Sequence, residues 1–132
     1  MTDRIAECSC GALRAVCTGE PARRSMCHCL NCQRRTGSAF SLNATFPVDQ
    51  VRIEGESRTF ERISDEGYWG RFRFCPQCGV TVFYEIERRP GMVTIPVGTF
   101  ADPAFPEPLV SVYENRRHPW LRFETNEPLE RD

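Results

Sequence analysis

Eight cysteines in a chain of 132 residues, seven of them in three tight clusters, constrain what this sequence can fold into more than any other feature. The clusters are Cys8-x-Cys10, Cys27-x-Cys29-x-x-Cys32 and Cys75-x-x-Cys78, with Cys17 apart. Closely spaced thiols serve either disulfide bonding in an oxidising compartment or metal ligation in a reducing one. The start, MTDRIAECSCG, lacks an apolar signal-peptide stretch, and no apolar run approaches the ~20 residues that span a bilayer. The expected setting is therefore cytoplasmic, with no membrane partner, and metal ligation follows.

Zinc thiolate sites hold sulfurs about 2.3 Å from the ion at tetrahedral angles, and a two-residue spacer lets both sulfurs of a pair reach one ion. Cys75-Pro-Gln-Cys78 has that spacer, and Gly79 supplies the permissive backbone of the turn behind it. Joining Cys8 and Cys10 to Cys75 and Cys78 closes a four-thiolate structural site. Cys27, Cys29 and Cys32 then remain as three ligands with an open position, the arrangement of a catalytic zinc. Two zinc ions per chain are expected on this reading. The rival pairing, one ribbon from Cys29, Cys32, Cys75 and Cys78, is not excluded by spacing alone. His28, between two ligands, is expected to point away from them, and Cys17 to be a buried inert thiol.

Apolar residues recur at every second position, which predicts short strands and very little helix. Phe40, Leu42, Ala44 and Phe46 alternate with Ser41, Asn43 and Thr45, as in a strand with one face in the core and one in solvent. Leu13, Ala15 and Cys17, then Val51 and Ile53, then Phe60 and Ile63 form weaker alternations, and residues 69–74, 80–86, 92–100 and 110–113 read as further strands. Only residues 29–36 look like a helical turn. Ten prolines and nine glycines at the joints fit a compact all-β domain, a single unit over residues 1–132 with residues 126–132 as a flexible tail.

A net charge of -1 leaves no global field for nucleic acid, so no nucleic-acid partner is expected. All 17 basic residues are arginine, which excludes lysine Schiff-base chemistry and favours fork-like pairing with carboxylates. Arg34 and Arg35 follow Cys32 closely enough to reach a ligand held at the open site. Arg71 and Arg73 read as a solvated strand face.

The motifs CSCGALR, CHCLNCQRRTGSAF, CPQCG and VGTFADP, with Trp120 in RRHPWLRF, resemble the glutathione-dependent formaldehyde-activating enzyme (GFA) family over nearly the whole chain. The resemblance implies an Mss4-like β fold, a structural zinc on Cys8, Cys10, Cys75 and Cys78, and a catalytic zinc on Cys27, Cys29 and Cys32. It also implies a carbon-sulfur lyase of the S-(hydroxymethyl)glutathione synthase type, joining a glutathione-like thiol to formaldehyde or another small aldehyde, with Arg34 and Arg35 on the glutathione carboxylates. A non-catalytic zinc module that binds a protein partner is the competing reading. Cys27-x-Cys29-x-x-Cys32 discriminates between them, because a purely structural module needs only the closed site.

Overall fold

The computed structural model describes residues 2–132. β1 (Asp3–Glu7), β2 (Arg14–Thr18) and β5 (Val51–Glu54) form a three-stranded antiparallel sheet in the order β1-β2-β5. The second sheet has eight strands. They are β3 (Arg23–Cys27), β4 (Ser41–Pro47), β6 (Arg58–Ile63), β7 (Trp69–Phe74), β8 (Thr81–Ile86), β9 (Met92–Pro96), β10 (Val110–Val112) and β11 (Glu130–Arg131), in the order β11-β10-β3-β4-β9-β8-β7-β6. Among the described residues a single α-helix, α1 (Leu30–Thr36), follows β3.

The core lies where the small sheet covers the apolar face of the large one. Ala6, Leu13, Ala15 and Cys17 meet Ala44, Phe46, Val82, Val93 and Ile95, closed off by Phe100. Period-two alternation explains this face, since residues two apart on a strand share a side. Cys17 is fully buried, and burial pushes its thiol up to about 12, as an inert core group should be.

Three expectations are corrected. The polar side of β4 is not in solvent: Ser41, Asn43 and Thr45 are all buried, so both faces of the strand are covered. Residues 126–132 are not a free tail. Glu130 and Arg131 pair in parallel with Val110 and Ser111, and the Asp132 amide donates to the Ser111 carbonyl. The run 92–100 is not one strand, because Val97–Phe100 turn into a short 3-10 helix that places Phe100 in the core. Strand pairing is antiparallel throughout the large sheet except at β10, which runs parallel to β3 and β11. The other strand readings hold, although Phe60 and Ile63 on edge strand β6 are exposed, and Arg71 and Arg73 pair on the surface with Glu61 and Glu85.

One glycine is fixed by close approach. Gly55 ends β5 at φ +99°, and a Cβ there would sit 1.9 Å from the Ala12 carbonyl oxygen, in the loop that leads from the Cys8 turn to β2. Left-handed strain and a backbone clash act together, so Gly55→Ala should destabilise by about 2 to 4 kcal/mol. A thermal melt should show Tm lowered by about 10 °C. An unchanged Tm would mean that this loop yields freely.

Candidate metal centres and the adjoining cavity

Two turns of matching form bring Cys8, Cys10, Cys75 and Cys78 together. β1 ends at Glu7 and β7 at Phe74, so Cys8 and Cys75 each open a turn directly after a strand. The first is closed by the Cys8 amide on the Leu13 carbonyl (3.1 Å), the second by the Cys75 amide on the Val80 carbonyl (3.0 Å). Backbone amides are aimed at sulfur: Leu13 N donates to Cys8 Sγ at 3.3 Å and Gln77 N to Cys75 Sγ at 3.4 Å. The amides of Val80 and Cys10 pull the Cys78 thiol down to about 6. All four sulfurs lie within 4.8 Å of one another.

The spacing fits one ion. Sγ of Cys10 is 3.6 Å from both Cys8 and Cys75, against ~3.8 Å for the edge of a tetrahedron with 2.3 Å bonds to its centre. A disulfide would need ~2.05 Å. With Cys8 and Cys75 buried in the core cluster, the donor set, amide support and geometry suit a closed thiolate metal site.

The second cluster is Cys27, Cys29 and Cys32, again with sulfurs within 4.8 Å of one another. Cys27 ends β3. Cys29 is the N-cap of α1, its sulfur accepting from the Cys32 amide at 3.3 Å, and Cys32 lies in the helix's first turn. Hydrogen bonds from the Cys27 and Cys29 thiols hold Cys32 well below the ordinary thiol range, with Ser41 and the Arg35 charge acting in the same sense; burial opposes them. Cys27 rises correspondingly. Three soft donors suit a zinc-type ion, and among the described residues the set has no fourth protein ligand. Cys75 and Cys78 stand with Cys8 and Cys10, apart from this cluster, so the four thiols of the single-ribbon pairing do not meet.

His28 turns away from both clusters, as expected for a residue flanked by two ligands. It is fully buried, with Nε2 2.9 Å from Ser111 Oγ and 3.4 Å from Glu114 Oε2. Burial raises the Glu114 carboxyl, but bonds from Ser111 and Arg131 and the charges of Arg131 and Arg117 outweigh it and keep the group below the usual carboxylate range. Gln33 ties the same region together, its amide donating to the His28 carbonyl at 2.8 Å and to the Arg116 carbonyl at 3.2 Å. These contacts anchor the chain between Cys27 and Cys29.

All three cysteines of the open cluster line a cavity of about 950 Å³, whose floor is the polar face of the large sheet. Alternation puts Cys27, Ser25 and Arg23 on one side of β3, opposite Ser41, Asn43 and Thr45 of β4. Buried polar groups there satisfy one another. Tyr84 Oη donates to Asn43 Oδ1 (2.8 Å), Asn43 Nδ2 donates to Ser41 Oγ (3.1 Å), and the Thr45 and Thr94 hydroxyls pair at 3.1 Å. The chain from Tyr84 through Asn43 ends at Ser41, the residue that supports the Cys32 thiolate. Arg34 lines the cavity. Arg35 does not: its guanidinium lies 5.0 Å over the Tyr84 ring and 5.7 Å from Phe72, in the wall, facing Cys32. Trp69 stands at the rim under Arg71 (4.0 Å), and Trp120 is an exposed partner of His118.

The polar floor was missed in the sequence. Its signal was present in the alternation itself: the outward positions of residues 41–45 are Ser, Asn and Thr, small and uncharged, whereas β7, with a solvated face, carries arginine.

An all-β Mss4-like domain carrying two cysteine clusters of metal-binding geometry defines the class of this protein. The model of the glutathione-dependent formaldehyde-activating enzyme family matches residues 3–116, and the chain belongs to that family. A Colletotrichum graminicola relative, provisionally named as a glutathione-dependent formaldehyde-activating enzyme, is 29% identical over 87 residues. That match covers 59% of this chain and 45% of the relative, so the chain spans less than half the length of that protein. The crystal structure of a Rhodobacter sphaeroides protein superposes with a TM-score of 0.56 at 20% identity, covering 72% of this chain and 85% of that one, a likeness of fold. Among the described residues no helix is long and apolar enough to cross a membrane.

Proposed function

We propose that this protein is a zinc-dependent carbon-sulfur lyase of the S-(hydroxymethyl)glutathione synthase type, adding a glutathione-like thiol to formaldehyde or another small aldehyde. The observation that carries the reading is the three-cysteine cluster at the wall of a large cavity with a polar floor, with a separate four-cysteine cluster that already meets any structural need. Two zinc ions per chain are assigned, one on Cys8, Cys10, Cys75 and Cys78 and one on Cys27, Cys29 and Cys32. Bound zinc supplies what a free thiol lacks, since a thiol of pKa near 8.5 is mostly protonated at neutral pH and a metal-bound one is held as thiolate.

The chain's own residues do the rest. Cys29 caps α1 and so fixes its sulfur relative to Cys32, while the Tyr84-Asn43-Ser41 chain holds the Cys32 side. Arg34 offers a fork to a ligand carboxylate at the cavity wall, and Arg35, packed on Tyr84, balances the thiolate charge. In the addition a sulfur-carbon bond forms, the carbonyl π bond opens, and the thiol proton ends on the former carbonyl oxygen. No oxidant or reductant is consumed.

Calorimetry with glutathione and its S-methyl analogue tests the reading on the zinc-loaded protein. Glutathione should bind at millimolar concentration or below, and the thioether at least about tenfold more weakly, because it cannot become a thiolate. Arg34→Ala should weaken both alike, by about ten- to a hundredfold for one lost charge-assisted pair. Absence of glutathione binding, or equal binding of the analogue, would put the non-catalytic module ahead.

A further inference from the structure

The cavity carries more positive than negative side chains, with Asp65, Glu66 and Asp132 as the acidic residues of its lining. Six arginines line the cavity: Arg23, Arg34, Arg62, Arg88, Arg89 and Arg116. Arg88 pairs with Glu66 at 3.5 Å, and among the described residues the other five have no carboxylate partner at ion-pair distance. Most arginines elsewhere are paired, as Arg4 is with Glu20 and Arg71 with Glu61.

Strand register gathers three of the unpaired five at one end. Arg23 lies four residues before Cys27 on the same side of β3, a rise of ~13 Å. Thr45 stands opposite Arg23, and Thr94 opposite Thr45. Arg62 pairs with Gly70, which pairs with Ile86, so it lies beyond the Thr94-Tyr84 row on the side of the β8–β9 turn, and Arg89 is in that turn. The Arg62 guanidinium sits 5.1 Å over Phe72 with its Nε buried and unpartnered. Burial, then the charges of Arg23 and Arg88, depress Arg89, which agrees with the crowding of like charges there. Three arginines from three elements thus share the end of the sheet where the Thr45 and Thr94 hydroxyls pair, a concentration of positive charge that favours an anion.

We propose that Arg23, Arg62 and Arg89 form a carboxylate subsite at the end of the cavity opposite Cys27, Cys29 and Cys32. The cavity then selects a thiol with a carboxylate about a tripeptide's length from its sulfur, ~10 Å in extended form, and takes short uncharged thiols poorly. An arginine side chain is long enough to span the remaining gap. The assignment rests on the reading of the cysteine end as the thiol-binding end, and it deepens that reading by naming the class of thiol.

The test uses the zinc-loaded protein, Arg23→Ala, Arg89→Ala, the double variant and the charge reversal Arg89→Glu. Each is titrated with glutathione, S-methylglutathione and 2-mercaptoethanol. The double variant should bind glutathione about a hundredfold more weakly, or about 2.7 kcal/mol, and S-methylglutathione by a similar factor, with 2-mercaptoethanol unchanged. Arg89→Glu should lose glutathione more completely than Arg89→Ala, again sparing 2-mercaptoethanol. Thermal melts of the alanine variants should be level with the parent or above it, because no ion pair is lost and repulsion is relieved. Undiminished glutathione affinity in the double variant and the reversal overturns the subsite while leaving the thiol reading intact. Arginine-dependent binding of S-methylglutathione with no gain from a free thiol keeps the subsite and overturns the thiol reading. No binding of any of the three overturns both.

Discussion

Cys75→Ser should leave a chain that does not fold stably. The four sulfurs of Cys8, Cys10, Cys75 and Cys78 join the first strand of the small sheet to a turn of the large one, and Cys8 and Cys75 belong to the packed core. Structural thiolate sites of this kind contribute roughly 10 kcal/mol or more of metal-coupled folding free energy, which equals or exceeds the ~5 to 15 kcal/mol net stability of an ordinary domain. Serine keeps the shape of the side chain but not the soft donor, and it leaves a buried hydroxyl beside three crowded thiols. Loss of the cooperative melt, with aggregation on expression, is the expected result. A strong chelator should reproduce it in the parent, more slowly. A variant that melts within a few degrees of the parent would show that the core holds the sheets without the metal.

Cys29→Ser should do the opposite, sparing the fold and removing the chemistry. Cys29 lies at the surface end of α1, half-buried, and its structural task is to cap the helix by accepting from the Cys32 amide. Serine is among the preferred N-caps, so that contact survives. Zinc content should fall from two ions to one, matching the two clusters, with Tm changed by a few degrees at most. Thiol addition to formaldehyde should fall by at least about a hundredfold, since even outer groups around a metal are worth ten- to a hundredfold and this is a ligand. Metal counting by native mass spectrometry beside an aldehyde-consumption assay reads both halves. Full activity with one ion would move the chemistry away from Cys27, Cys29 and Cys32, and equal collapse of Cys29→Ser and Cys75→Ser would make both clusters structural.

Much of this was legible because the ligands are local in sequence. A Cys-x-Cys or Cys-x-x-Cys pair brings its own turn, so the composition of each half-site needs no knowledge of the fold; period-two alternation located β2, β4 and β7, and runs of strand-favouring residues located β8 and β9, for the same reason. The errors fell where burial depends on what packs against a strand. Ser41, Asn43 and Thr45 read as a solvent face because polarity alternates there, yet Tyr84, Thr94 and the packing of α1 against β4 bury that face. The carboxyl-terminal strand escaped notice because two residues, Glu130 and Arg131, carry no periodic signal, and their pairing with β10 is decided by a neighbour twenty residues earlier.

By itself the sequence determined the cysteine half-sites, the β-strand class and the absence of lysine chemistry, all of which depend on residue type and short spacing. Only the tertiary structure decided that Cys8 and Cys10 meet Cys75 and Cys78, that His28 binds Ser111 and Glu114 instead of joining the cluster, and that Arg35 packs in a wall while Arg23, Arg62 and Arg89 face a cavity. Those outcomes are set by which strands lie side by side. Strand order comes from burying one continuous apolar face, a property of the whole chain that no local window of residues contains.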